Sequence, residues 1–526
     1  MDEYIFGANI LENLTTGMYQ DSKVSYREYI QNACDQIDKA VEQGILSSAE
    51  EGCIQIWLSP DERKISIEDN ATGIPKIDFE RILANVADSD KKLGSDKGFR
   101  GIGRLCGLAY CRELVFSSTS QGEAVISTMR CDAQKMRELL IRNLNGEKFT
   151  ATQVLHEIYH FDYETDETVT DEHWFKVELI DINEENTELL NFDEVKKYLS
   201  FTAPVPYANT FPYHTEIYSH AKKIGYKIDE YSIKLNGEDI FKKYSTHFKT
   251  RNGEDDIFGV EFKDFYDDKG NLIMWLWFGL SRFKGVISRD CNMRGMRLRK
   301  ENIQIGNEDA LQKLFREDRG QHYFVGELFA VSPQLIPNSQ RDYFNENIVR
   351  VWFESELQKY FRELYKVYRK ASDANSAFKK IDDYKEEVEQ HQAKLENNDY
   401  VDAVDVSKAE EKVQTAETKA RKAQEDINKL KQNSEKTEAG AVITRVIERI
   451  EKKRKEQEKP VSNTEITPVS DVVSAPTPKS SNRTDKLSRC NRQERKLIGR
   501  IFNIIKNCTD EATAEMIIRK IEDEFK

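Results

Sequence analysis

The character of the chain changes once, near residue 350, and that change limits the fold more than any other feature. Before it, short apolar runs alternate with helical stripes, and four of the five tryptophans fall there (Trp57, Trp174, Trp275 and Trp277). After it, Val349, Trp352, Phe353, Leu357, Tyr360, Phe361, Leu364 and Tyr368 recur at helical spacing, which predicts a long helix packed on the preceding domain. A charged, mostly Gly- and Pro-free segment follows. There Ile381, Tyr384, Val388, His391 and Leu395, and again Val413, Ala416, Ala420, Ala423, Ile427 and Leu430, keep the 3,4 spacing of a coiled-coil seam. The irregular stretch Asn397 to Val406 permits a turn, so an antiparallel hairpin, one long rod and a solvated single helix all fit.

Residues 459–486 are rich in Pro, Ser and Thr and read as a flexible linker. In the tail, Leu497, Ile498, Ile501, Phe502 and Ile505 form one stripe and Met516, Ile517 and Ile521 another. Two helices of that size are marginal alone and are expected to dock on something. The expected class is α+β. An α/β domain spans 1–200, a second α/β domain 201–350, a helical coiled-coil arm 351–458, the linker 459–486 and a small helical module 487–526.

Charge and cysteine usage exclude several functions. Lys+Arg 79 against Asp+Glu 93 leaves a net charge of −14, which argues against a surface that coats nucleic acid or anionic membrane. The longest apolar run, Leu272 to Leu280, suits one buried strand and falls far short of a bilayer span. The start Met1-Asp2-Glu3 lacks the basic and apolar regions of a secretory signal, so a cytoplasmic location is expected. Eight scattered cysteines without a C-x-x-C pair read as reduced thiols.

Three blocks carry chemistry. In Tyr26 to Lys39, a helix turning about 100° per residue brings Glu28, Asn32 and Asp35 within roughly 60° of one another, with Ile30, Ala33, Ile37 and Val41 opposite. Next, Cys53–Leu58 and Lys64–Glu68 alternate as strands. The second ends in Asp69-Asn70-Ala71-Thr72-Gly73-Ile74, a carboxylate followed by a turn with a permissive glycine. Then Gly98-Phe99-Arg100-Gly101-Ile102-Gly103 runs toward an apolar helix, where exposed backbone amides make a phosphate cradle. No Gly-Lys-Ser/Thr follows, so this is not a Walker loop.

In order and spacing these blocks resemble the GHKL superfamily of ATPases, whose Bergerat fold is a mixed sheet covered by helices with ATP under a mobile lid. Glu28, Asn32 and Asp35 match its Glu-x-x-x-Asn-x-x-Asp motif, and the flanking Arg27, Ala33, Asp38 and Lys39 bring the match closest to the heat shock protein 90 chaperones. The resemblance implies that Glu28 is the general base for the attacking water, that Asn32 offers an oxygen to Mg²⁺ and that Asp69 accepts from the adenine amino group. It further implies ATP-binding roles for Asp35, Gly73, Ser89, Lys91, Gly98, Arg100, Gly101, Ile102 and Gly103. Gly326 to Asp342 resembles the chaperones' middle-domain segment, which makes Arg341 the candidate for the γ-phosphate contact and 201–350 a coupling (transducer) domain.

Two positions depart from the family pattern. Ala71 replaces the first glycine of Asp-x-Gly-x-Gly, and the strand expected to open with Gly-Thr is His173 to Leu179, without threonine. The reading these features favour is an ATP-hydrolysing conformational machine that closes its lid and dimerises through the ATPase domain and the arm, with an unidentified protein client. A MutL- or MORC-like DNA clamp and a nucleotide sensor in a multi-protein defence system are the alternatives. The basic cluster Arg294, Arg297, Arg299 and Lys300 faces either phosphate or solvent.

Three signals carry less. His156-Glu157-Ile158-Tyr159-His160 fits His-Glu-x-x-His, but the alternation from Thr152 to His160 predicts a strand, on which the histidines stand about 13 Å apart, too far for one zinc ion. A histidine-kinase phosphoacceptor normally precedes the ATPase domain, whereas the first histidine here is His156. Lys452 to Lys455 is surrounded by Glu451, Glu456 and Glu458 and reads as a solvated helix end.

Overall fold

The computed structural model describes residues 5–15, 17, 21–87, 97, 101–397, 399–400, 403–434, 438–457, 487 and 489–525. They form two compact units, Met1–Ser281 with Val286–Arg362, and Arg282–Gly285 with Glu363–Lys526.

In the first unit, β1 (Cys53–Ser59) and β2 (Lys64–Asp69) make an antiparallel hairpin that sets Ile56 opposite Ile67. Alternation turns Ile54, Ile56 and Leu58, and Ile65 and Ile67, into the core. Asp69 continues the same inward phase. Strands β3 (Cys111–Thr119), β4 (Val125–Asp132), β5 (Tyr159–Thr165), β6 (Trp174–Ile182), β7 (Ser232–Leu235) and β8 (Glu238–Asp239) complete an eight-stranded sheet of order β5-β4-β3-β6-β2-β1-β7-β8. Neighbours are antiparallel except β1 and β7, which run parallel. The sheet therefore runs past the expected boundary at residue 200, because β7 and β8 lie beyond it.

Helices α1 (Asn9–Leu14), α2 (Val24–Glu42), α3 (Lys76–Ala84), α4 (Ala133–Leu144), α5 (Ala151–Ile158), α6 (Phe192–Thr202) and α7 (His214–Lys223) complete the layers of this unit. From α2, Ile30, Ala33, Ile37 and Ala40 join Ile54, Ile56, Ile65 and Ile67 in one core. Each large aliphatic side chain buried there contributes about 1.5–3 kcal/mol.

The His156 segment corrects the strand expectation. Residues Ala151–Ile158 form α5, started by a Thr150 capping box with Gln153, and Ala151, Val154 and Ile158 are buried at helical spacing. The helix ends at Ile158, so His160 lies on β5, opposite Arg130, and the two histidines do not share a helical face.

A second sheet holds β11 (Gly259–Tyr266), β12 (Leu272–Leu280), β13 (Gly295–Lys300), β14 (Ile303–Gln304) and β15 (Val325–Ala330), in the order β11-β12-β15-β13-β14. A separate pair is formed by β9 (His247–Thr250) and β10 (Gly253–Asp256). The apolar run Leu272 to Leu280 is β12, buried at every position after Leu272, as a strand covered on both faces must be. Trp275 stacks on Phe329 of β15 at 4.4 Å between ring centroids.

Beside these rings, Glu327 is fully buried and accepts from Arg299 Nε, from Lys242 Nζ at 3.1 Å and from the Tyr207 hydroxyl. Arg299 also donates to the Asn302 and Phe201 carbonyls at 2.8 and 2.7 Å, and Lys242 to Asn302 Oδ1 at 2.7 Å. Burial works against the Glu327 carboxylate, but Arg299 and Lys242 overcome it and hold its pKa down to about 2.

In the second unit, α8 (Ile348–Glu396, from Glu363 on) is followed by α9 (Ala403–Ser434), α10 (Glu438–Gln457), α11 (Arg492–Cys508) and α12 (Glu511–Glu524). The break between Glu396 and Ala403 excludes the single rod. Ile381, Tyr384, Val413, Ala420, Ala423 and Ile427 are buried together with Val446 and Ile447 of α10, so the seam is packed within this chain, although Leu395 is exposed. Lys431 of α9 pairs with Glu451 of α10 at 2.8 Å. The expected linker 459–486 lies outside the described residues. In α11, Phe502 is buried while Leu497 is 60% exposed and Ile501 40%, so the predicted stripe is covered only in part. No helix among the described residues is long and apolar enough to cross a membrane, and all eight cysteines are free thiols.

Candidate functional site

The polar face of α2 meets the inward end of β2 across one cavity of about 260 Å³ in the first unit. Glu28 and Asn32 line it from α2, Asp69 and Gly73 from the end of β2, Gly101, Ile102 and Gly103 from the glycine segment, and Arg341 from the loop after β15. Ile67, Phe116, Phe175 and Val177 supply an apolar wall, with the Phe116 and Phe175 rings stacked at 6.0 Å.

The hairpin register explains Asp69. Because β2 points Ile65, Ile67 and Asp69 the same way, a carboxyl group sits where an apolar side chain normally would, 4% exposed. Burial pushes its pKa up to about 7, against the pull of the Ala71 N–H, which donates to Oδ1 at 3.1 Å. The turn that follows needs glycine at Gly73, where φ is +61° and a Cβ would stand 1.8 Å from the Thr119 carbonyl oxygen. Ala71 has no such requirement, since its φ is not positive. The two departures from the family pattern meet each other: the ring Nδ1 of His173 lies 2.6 Å from the Ala71 carbonyl. Ser118 Oγ takes the Ile74 N–H at 2.8 Å and donates to the Trp174 carbonyl, also at 2.8 Å.

Glu28 is 8% exposed, and Arg27 Nη2 donates both to its Oε1 and to the Gln340 carbonyl, each at 3.1 Å. Gly103 makes the close approach to Glu28 available, because a Cβ there would lie 2.5 Å from Oε2. The segment Gly103–Ala109 is a 3₁₀ turn rather than the expected α-helix, and Tyr29 fixes it by accepting from the Gly107 N–H at 3.0 Å and donating to the Arg104 carbonyl at 3.1 Å.

Arg341 has φ +53°, an uncommon conformation for a residue with a side chain, and is 5% exposed. Its Nη2 donates to the Lys97 carbonyl, and its buried Nη1 has no acceptor among the described residues.

Asp35 is placed differently from the other motif residues. It does not line the cavity; its Oδ1 accepts the Lys97 N–H at 2.8 Å. Ser89, Lys91, Gly98 and Arg100 lie outside the described residues. Lys97 is the residue that the sequence reading missed. Its Nζ donates to Asp38 Oδ2 at 2.5 Å and lies 3.9 Å from Asp229, while Tyr231 donates to Asp38 at 2.8 Å. The basic cluster divides. Arg299 and Lys300 are consumed by buried bonds, Lys300 to the Val331 and Ser332 carbonyls, whereas Arg294 and Arg297 line a different cleft.

A buried carboxyl beside apolar rings, a carboxylate next to a glycine cradle and an arginine with a donor to spare suit a nucleotide held base-first. Comparison with curated proteins returns no match. Residues 23–165, which carry most of this cavity, match the family described as Histidine kinase-, DNA gyrase B-, and HSP90-like ATPase, and this supports a GHKL-type ATPase domain in that segment.

Proposed function

We propose that the first unit binds ATP in this cavity and hydrolyses it to ADP and phosphate, and that the nucleotide state is passed to the second sheet through Arg341. The observation that carries the reading is the convergence of Glu28, Asn32, Asp69, Gly103 and Arg341 on one cavity from segments as far apart as residues 28 and 341. Asp69 accepts the adenine amino group, and the stacked Phe116 and Phe175 bound the base. Glu28 takes the proton of the attacking water while the water oxygen bonds to the γ-phosphorus and the bond to the β,γ-bridging oxygen breaks, leaving ADP. Arg341 Nη1 meets the charge growing on the γ-oxygens.

The donors also suit Mg²⁺. One amide oxygen, from Asn32, is the kind of hard ligand the ion takes when the phosphates supply the others. When bound, it neutralises phosphate charge.

Closure over the nucleotide and dimerisation of ATPase domains belong to the same reading. Closure is supported by the bonds that already join α2 and Lys97 to the 338–342 loop, from Arg27 to the Gln340 carbonyl and from Arg341 to the Lys97 carbonyl. The test is phosphate release by the full chain with ATP and Mg²⁺. Turnover in the wild type and its loss in Glu28→Ala are expected, together with tight nucleotide binding that is lost in Asp69→Asn. A wild type without turnover, or a Glu28→Ala variant equal to it, removes hydrolysis from the reading. Light scattering with and without a non-hydrolysable analogue reads out dimerisation.

A further inference from the structure

A second cleft of about 680 Å³ opens in the first unit between the start of α2, the end of α6 and the turn leading into β13. Six basic side chains line it, Lys23, Arg27, Lys197, Arg289, Arg294 and Arg297, against Asp21, Glu194, Glu308 and Asp342. A basic excess gathered in a concavity is unexpected in a chain of net charge −14. Part of it is accounted for internally. Arg27 is committed to Glu28 and Gln340, and Lys23 lies 3.5 Å from Asp21.

Of the four that remain, Lys197 and Arg289 are exposed, whereas Arg294 is half-buried and Arg297 buried. Arg297 is 6% exposed; its Nη1 donates to Gln304 Oε1 at 2.7 Å and its Nη2 to the Asn292 carbonyl, and the guanidinium lies 4.4 Å from the centre of the Phe201 ring. These contacts fix its plane, yet its buried Nε has no acceptor among the described residues. Arg294 also has a buried Nε without an acceptor, and its side chain makes no hydrogen bond or ion pair among the described residues. Arg289 stands exposed at the rim. Burial pulls the Arg297 pKa below the ordinary arginine value, as expected of a desolvated cation short of acceptors.

Two guanidinium groups with donors to spare, and a third at the rim, call for more acceptor oxygens than one carboxylate has. A phosphate dianion supplies three or four, in a geometry that guanidinium forks match. We propose that this cleft is a second anion site, binding the phosphate group of a small molecule through Arg294 and Arg297. Inorganic phosphate and a phosphate monoester present the same group. The assignment does not depend on ATP binding in the first cavity.

The test is calorimetric titration of the full chain, saturated with the non-hydrolysable analogue AMP-PNP, with inorganic phosphate and in parallel with ribose 5-phosphate. Saturable binding of at least one probe is expected, weakened about ten-fold or more by Arg294→Gln and by Arg297→Gln. Tighter binding of ribose 5-phosphate identifies an esterified ligand, and tighter binding of inorganic phosphate the free ion. Arg297→Gln also breaks buried bonds, so if it fails to fold, Arg294→Gln, at a half-buried side chain, decides alone. Absence of saturable binding, affinity unchanged in Arg294→Gln, or binding confined to a 5′-phosphorylated oligonucleotide overturns the proposal. Phosphate that binds only without AMP-PNP occupies the first cavity and overturns it as well. If AMP-PNP itself does not bind, the ATP reading fails, and the titration without it still decides this one.

Discussion

The first unit contains two buried clusters built from the same residue types, a glutamate between basic side chains, and they are finished in opposite ways. Around Glu327, no nitrogen or oxygen of Glu327, Arg299 or Lys242 lacks a partner, and all three side chains are fully buried. Around Glu28, Arg341 keeps a buried donor without an acceptor among the described residues, its backbone is held at positive φ, and a cavity adjoins the carboxylate. A completed network ties strands together and has nothing left to offer a ligand. An incomplete one keeps a cost that substrate can offset, so the difference separates scaffold from site.

The contrast breaks most readily at the two glutamates. Glu28→Ala should lower phosphate release by about 10²–10⁴-fold, the range for loss of a general base. It should move the urea midpoint less, because Arg27 keeps its bond to the Gln340 carbonyl. Glu327→Ala should do the reverse, destabilising the unit by about 3–5 kcal/mol through two buried cations left unpaired. Urea unfolding followed by tryptophan fluorescence reads this out, since Trp275 and Trp277 adjoin the cluster. Equal loss of stability in both variants would end the distinction.

Arg341→Ala sharpens it next. Phosphate release should fall about 10²-fold, the usual loss for one donor to developing charge. The unfolding midpoint should change less than in Glu327→Ala, because a partly unpartnered side chain is removed. Arg341→Lys keeps the charge but loses the fork that reaches both Lys97 and the cavity, so turnover between the alanine variant and wild type is expected.

What was legible in the sequence follows the same division. The periodic parts declared themselves: the two-faced helix with Glu28 and Asn32, the hairpin that ends in Asp69, and the run Leu272 to Leu280. Each is fixed by local spacing that burial then respects. Arg341 was legible only through family resemblance, since nothing in its own surroundings shows that a loop after β15 reaches α2. The alternation from Thr152 to His160 misled because an apolar residue at every second position also satisfies part of a helical stripe, and the Thr150 capping box settled the choice. Lys97 was missed because Asp38, Asp229 and Tyr231 come from two distant segments. Asp35 carries the family motif yet serves the backbone of Lys97, a distinction that spacing does not encode.

The smallest expected effect concerns Asp69, a cavity carboxyl whose burial brings its titration near neutrality. The adenine amino group needs an acceptor, so the base should bind the ionised carboxyl. With a pKa near 7, about nine-tenths of Asp69 is ionised at pH 8 and about one-tenth at pH 6, and affinity should fall about ten-fold across that interval. Adenosine is the right probe, because it carries no phosphate that titrates in the same range. The sign for folding is opposite. A carboxyl whose pKa is raised in the folded state favours folding while protonated, so its contribution is lost as pH rises from the ordinary 3.8 through about 7. Affinity should therefore rise over the upper part of the window in which this group costs stability. Asp69→Asn should remove both slopes and leave binding weak at every pH. The ring of His173 meets the Ala71 carbonyl beside this carboxyl, and His173→Gln should leave the Asp69 profile in place. A slope that survives Asp69→Asn, or that is lost in His173→Gln, would leave Asp69 without a titrating role in base binding.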